Sequence, residues 1–147
     1  MTTTAPTVDG RIIGLAHYAG RAILEKVLAR HGATFQQQIT LRPLAAAEGP
    51  VEREALVGQI AGNLQVDAVG IDGVVEELLA KGLAQAEASR VRITKAGREF
   101  YAEVSAETGK ISARIYAGIP AEDLAASGRV LALVTERANA ELAAMPA

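Results

Sequence analysis

Between Leu83 and Gly97 the chain reads LAQAEASRVRITKAG, and here the spacing of apolar residues changes from three-and-four to two. In RVRIT, Val91 and Ile93 face one way and Arg90 and Arg92 the other, the alternation of a half-buried strand. The preceding LAQAE can pair with it across Ala88-Ser89, giving a two-stranded ribbon. A ribbon this short is marginal in water, so it must lie on helices that the rest of the chain supplies.

Helical periodicity is present on both sides of it. RIIGLAHYAGRAILEKVLARHG places Ile12, Ala16, Ala19, Ile23 and Val27 at steps of three and four, with His31-Gly32 as a stop. TFQQQITLRPLAAAEG opens with Thr34 as N-cap and Gln37 three residues on, a capping box, and Pro43 should kink or end this second helix. After Gly49-Pro50, VEREALVGQIAGNLQV carries Leu56, Ile60, Ala61 and Leu64 on one face of a third helix. DAVGIDGVVEELLAKGL follows at once, with Asp67 as N-cap, Ile71, Val74, Val75, Leu78 and Leu79 as its stripe and Gly82 as its stop. Two helices joined by so short a connection predict a helix-turn-helix.

Beyond Gly97, Phe100, Val104, Ile111 and Ile115 continue in helical register, and Pro120 starts a last helix with Leu124, Leu131, Val134, Ala138 and Leu142. The first helix and these two carry more apolar stripe than the central elements can absorb. Burial against a second copy solves this, so a two-fold homodimer is expected, with Ile12, Ile111, Ile115, Leu124, Leu131 and Val134 as dimerisation residues. The fold class that results is mostly α with a small β-hairpin. Residues 1–10 read as a flexible arm and residues 11–147 as one domain, within which about 34–97 form the helix-turn-helix and hairpin, and about 11–32 and 98–145 the dimerisation helices.

Composition narrows the function classes. The 147 residues contain no cysteine, which excludes thiolate metal sites and a thiol nucleophile and fits a cytoplasmic location. The N-terminal MTTTAPTVDG has neither the basic start nor the apolar run of a signal peptide, and no stretch approaches a membrane span. Two histidines, His17 and His31, are too few and too far apart for a zinc site. His31 beside Gly32 suits a helix end; His17, Tyr18 and Arg21 could border a ligand cleft or pack in an interface. No nucleophile elbow, phosphate cradle or carboxylate metal cluster is present, so neither an enzyme nor a cofactor is expected. Aromatics at 3% argue against binding single strands by base stacking.

The net charge of −2 gives no global argument for nucleic acid, but its distribution is uneven. Residues 63–88 hold Asp67, Asp72, Glu76, Glu77 and Glu87 against Lys81, whereas residues 89–98 hold Arg90, Arg92, Lys95 and Arg98 and no acid. Arg90 and Arg92 could meet phosphate from the hairpin, or Arg90 could pair with Glu87 across it. The acidic run could be a solvated face or a protein-binding surface. Gly70 and Gly73, inside the fourth helix, could mark close approach of a partner or drift on a helix held by packing.

The order of elements resembles the MarR family of bacterial transcriptional regulators over nearly the whole chain. GATFQQQITLRPLA resembles the family's second helix, VGQIAGNLQV the helix leading into the turn, and LLAKGLA with VRITKAGREFYAEV the end of the recognition helix and the second wing strand running into the long helix. The resemblance implies a winged helix-turn-helix homodimer on double-stranded DNA with a roughly palindromic operator. The fourth helix would enter the major groove and the wings would reach the flanking minor groove or backbone. It further implies response to a small aromatic or phenolic acid. Where the family offers serine, threonine and arginine to DNA, this chain has Val69, Gly70, Asp72 and Gly73, and Glu77 a turn later, and its wing is short. Asp72 and Glu77 would approach phosphates with the wrong sign. The expected contacts are therefore Gln65 at the turn, Val69, Gly70 and Gly73 on the helix, and Arg90 and Arg92 on the wing. The rivals are a protein-interaction module of the same fold that has lost specific DNA binding, and a small-molecule binding protein.

Overall fold

The structure, a computed structural model, describes residues 4–147. Residues 1–3 of the expected N-terminal arm lie outside the described residues; Thr4 to Asp9 are exposed and carry no regular structure. Six helices and three short strands follow: α1 (Gly10–Arg30), α2 (Phe35–Ala46), β1 (Val51–Glu52), α3 (Arg53–Leu64), α4 (Ala68–Ala80), β2 (Ala84–Glu87), β3 (Arg90–Ile93), α5 (Lys95–Tyr116) and α6 (Ala121–Ala144). The chain divides into two compact units, Met1–Lys110 and Ile111–Ala147.

Local chemistry sets most boundaries as expected. Asp9 caps α1 by accepting from the Ile12 amide, at 2.9 Å. Thr34 and Gln37 form the reciprocal capping box of α2, with both bonds at 3.2 Å. Asp67 caps α4 through the Val69 amide, and Gly82, with φ 71°, lets the Leu83 amide reach back to the Leu78 carbonyl at 3.0 Å. Such a left-handed backbone suits glycine because it has no Cβ to clash.

Of the two outcomes open at Pro43 one is removed, and the expectations for the start of α3 and for a two-stranded ribbon need correction. Pro43 does not end α2, which continues three residues to Ala46; the proline sits late enough that few bonds remain to be lost. Val51 and Glu52 do not begin α3 but form β1, paired antiparallel with β3 through Val51 opposite Val91 and Glu52 opposite Arg90. The ribbon is accordingly the larger part of a three-stranded sheet in the order β1-β3-β2. Within it Ala84, Gln85, Ala86 and Glu87 face Ile93, Arg92, Val91 and Arg90.

The core of the first unit lies where α2, α3, α4 and the sheet meet. Leu41, Leu44, Leu56, Ile60, Ile71, Val75, Leu78, Val91 and Ile93 form one buried cluster, with Phe100 and Tyr101 of α5 against its edge. Burying each such side chain stabilises the fold by about 1.5–3 kcal/mol, so the aliphatic stripes of three amphipathic helices suffice to hold the sheet in place. The start of α5 is fixed by close approach: Gly97 is buried, and a Cβ there would fall 2.0 Å from the Leu83 carbonyl oxygen.

The α1 end is clasped to α5. His31 Nε2 lies 3.1 Å from Glu107 Oε2, Arg30 binds the same carboxylate, and the His31 ring meets Phe100 edge-on. In the second unit α6 buries none of its residues: Leu124, Val130, Leu131, Leu133, Val134 and Leu142 are exposed. Ile115 is exposed, and Ile12 and Ile111 are half-buried.

Candidate nucleic-acid interface

Helix α3, a three-residue turn and helix α4, followed by the β2–β3 hairpin, make a winged helix-turn-helix. Gln65 adopts the left-handed conformation at φ 55° and ψ 47°, which returns the Val66 amide to the Ala61 carbonyl at 3.0 Å. Its side chain does not project freely: Nε2 donates to the Gly62 carbonyl at 2.7 Å. Immediately after the turn, Val69 stands 78% exposed on the first turn of α4, the most exposed large apolar side chain of the described residues. Gly70 and Gly73 are exposed too, and a Cβ at either would meet open space. No contact within the chain therefore requires these glycines.

The acids of α4 are engaged with the protein's own groups. Arg53, the first residue of α3, donates from Nε to Asp72 at 2.9 Å and from Nη2 to Glu76 at 2.7 Å. The bond to Asp72, then that to Glu76, raises the Arg53 pKa above the ordinary arginine value. The Arg53 amide also donates to the Ser89 carbonyl in the hairpin turn, so one residue ties α3, α4 and the wing together. Glu77, itself exposed, accepts from Gln37 Nε2 at 2.8 Å, and Lys81 donates to the same glutamine's Oε1 at 2.9 Å. Asp72 and Glu77, expected to approach phosphate with the wrong sign, thus each have a partner within the protein, Arg53 and Gln37. Arg53 was missed as a site residue, because its partners are 19 and 23 residues away and no local pattern relates them.

Arg90 and Arg92 project from the exposed face of β3 while Val91 and Ile93 are buried, as the alternation requires. Arg90 pairs with Glu52 of β1 at 2.9 Å and not with Glu87; Glu87 instead binds Arg92, at 2.9 Å. The reason is the third strand, which sets Glu52 directly opposite Arg90. Both pairs have half-exposed side chains, a setting in which an ion pair is worth about 0–1 kcal/mol. A phosphate could therefore replace either carboxylate at small cost. Lys95, 92% exposed, lies just beyond, with Glu99 at 3.8 Å.

A second feature lies where α2 ends and α5 begins. Arg42, Ala45, Ala46, Arg98 and Tyr101 line an open cleft of about 230 Å³. Arg98 also reaches the Ala45 and Ala47 carbonyls, at 3.4 and 3.5 Å, at the negative end of α2. The sequence offered no signal for this cleft, since its two halves lie more than 50 residues apart. His17 and Tyr18 do not line it; Tyr18 is 69% exposed, and Arg21 stacks over the Phe35 ring at 4.1 Å. Among the described residues no group of three His, Asp or Glu side chains could hold a metal ion, and no helix is long and apolar enough to cross a membrane.

The architecture so far defines a winged helix-turn-helix protein. No family model matches the sequence, and no curated protein matches it. Solved structures do. A MarR family transcriptional regulator from Silicibacter pomeroyi superposes with a TM-score of 0.71 at 21% identity, over 85% of each chain. CouR from Rhodococcus jostii RHA1, solved with p-coumaroyl-CoA, matches with a TM-score of 0.71 at 19% identity, over 83% of this chain and 87% of that one. A MarR family protein from Mycobacterium tuberculosis, solved in complex with DNA, matches with a TM-score of 0.65 at 19% identity, over 88% and 98%. The chain has the fold of the MarR-family transcriptional regulators.

Proposed function

We propose that this protein is a DNA-binding transcriptional regulator of MarR type that acts without catalysis, in the cytoplasm, as a homodimer on a roughly palindromic operator. The observation that carries the reading is the juxtaposition at one surface of an open α4 N-terminal face with a wing whose arginines are held only by exposed carboxylates. That the same fold has been solved on DNA in a mycobacterial protein supports it. The exposed apolar residues of α6, with Ile115, support a second copy as their cover, since seven large side chains left in water would weaken an isolated chain.

An effector belongs to the same reading. The cleft at Arg42, Arg98 and Tyr101 offers two guanidinium groups and a phenol beside alanine walls, which suits a small aromatic or phenolic acid. Its volume fits one ring and falls below the roughly 300–1,000 Å³ of pockets for drug-sized ligands. The rival reading, a protein-interaction module that has lost specific DNA binding, is favoured by one observation: α4 carries no lysine or arginine along its length.

The deciding experiment is fluorescence anisotropy of the protein with duplexes enriched from a random-sequence pool, titrated over salt. Sequence-preferring binding with a log–log salt slope of about −0.9 per neutralised phosphate is expected, and replacing Arg90 and Arg92 together by alanine should weaken binding to all sequences and flatten that slope. If no duplex is enriched over scrambled DNA even at low salt, the protein-interaction reading takes its place.

A further inference from the structure

We infer that Val69 reads the 5-methyl group of thymine in the major groove, and that this contact, in place of hydrogen bonds from side chains, gives α4 its sequence preference. The inference rests on the regulator reading above. It follows from what the face of α4 has left to offer. Gln65 is bonded to the Gly62 carbonyl, Asp67 to the Val69 amide, Asp72 and Glu76 to Arg53, and Glu77 to Gln37. Every polar side chain of the three-residue turn and of α4 thus already has a partner within the protein. What stands free is an isopropyl group, 78% exposed.

In the major groove the base pairs differ in donors, acceptors and one apolar group, the thymine methyl. An isopropyl group can favour only the last. The neighbouring Gly70 and Gly73 add no side chain on this face, and nothing of the protein fills the space beside them. The α4 backbone can therefore come nearer to the groove floor than a helix with longer residues there, which brings Val69 within reach of a base edge. Transfer of one methyl group from water to an apolar contact is worth about 0.8 kcal/mol, which corresponds to about a fourfold change in affinity for each thymine read. A homodimer reading one thymine in each half-site would gain the square of that factor.

The test uses the full-length protein and the operator enriched from the random pool. Each thymine is replaced in turn by deoxyuridine, which removes the methyl group and leaves charge and base pairing unchanged. One thymine, or an adjacent pair, in each half-site should bind about fourfold more weakly as deoxyuridine. In Val69→Ala, whose exposed position predicts an unchanged fold by circular dichroism, the deoxyuridine penalty should shrink, because the smaller methyl side chain covers less of the thymine methyl. The inference is overturned if no single deoxyuridine weakens wild-type binding, or if Val69→Ala keeps the full penalty. Either result, obtained on an operator that is enriched and bound, leaves the regulator reading standing, whereas failure to enrich any operator removes both.

Discussion

Replacing Gly97 by alanine sets two physical effects against each other. Alanine is the better helix former, by up to about 1 kcal/mol, and Gly97 lies in the first turn of α5. Its Cβ, however, would stand 2.0 Å from the Leu83 carbonyl oxygen and 2.7 Å from Ile93 Cγ1. Relief requires a movement of about 1 Å of backbone at the start of the wing, where the Leu83 oxygen accepts from the Thr94 amide at 3.1 Å. Overpacking of this kind costs about 1–3 kcal/mol, and the strained hydrogen bond adds about 1 kcal/mol. Sterics win, and a net loss of about 1–3 kcal/mol is expected after the propensity gain is subtracted. At a urea dependence of about 2 kcal/mol per molar, the unfolding midpoint should fall by about 1 M, measured by far-ultraviolet circular dichroism at one protein concentration. Gly73→Ala is the matched control: its Cβ meets open space, so it should stabilise by about 0.5–1 kcal/mol. A Gly97→Ala protein as stable as wild type would refute the steric argument.

Other perturbations follow from the same structure. Thr34→Ala removes the acceptor for the Gln37 amide and should cost about 1 kcal/mol in urea unfolding, with the loss confined to stability. Thr40 is fully buried with no partner for Oγ1, so Thr40→Val, which keeps its shape, should raise the midpoint by an amount worth about 1 kcal/mol; a fall would mean that the hydroxyl is satisfied. The hydrogen bond from His31, and then the charge of Arg30, hold the Glu107 carboxyl below its ordinary value of 4.5. A lowered folded pKa contributes stability that is full above the unfolded value and is lost as pH falls through the folded one, so wild type should lose stability below about pH 4.5 more steeply than Glu107→Gln. Parallel acid profiles would remove this clasp from the account.

The helices and their ends were legible because the chemistry that makes them is local. A capping box needs residues three apart, an amphipathic stripe needs steps of three and four, and a stop needs one left-handed residue; Thr34 with Gln37, Ile71 to Leu78, and Gly82 meet these conditions in the linear text. The alternation of Arg90 to Ile93 likewise announced a strand with a wet and a dry face. Tertiary structure alone decided the partners. A two-residue strand such as β1 has no period to detect; it exists because Val51 finds Val91 some forty positions on, and with that pairing Glu52 takes Arg90 away from Glu87. The same holds for Arg53 across to Asp72 and Glu76, and for Gln37 joined to Glu77 and Lys81. Charge patterns written along the chain state which groups must be balanced, but an ion pair depends on distance through space, and that distance is set by how the apolar stripes of α2, α3 and α4 pack.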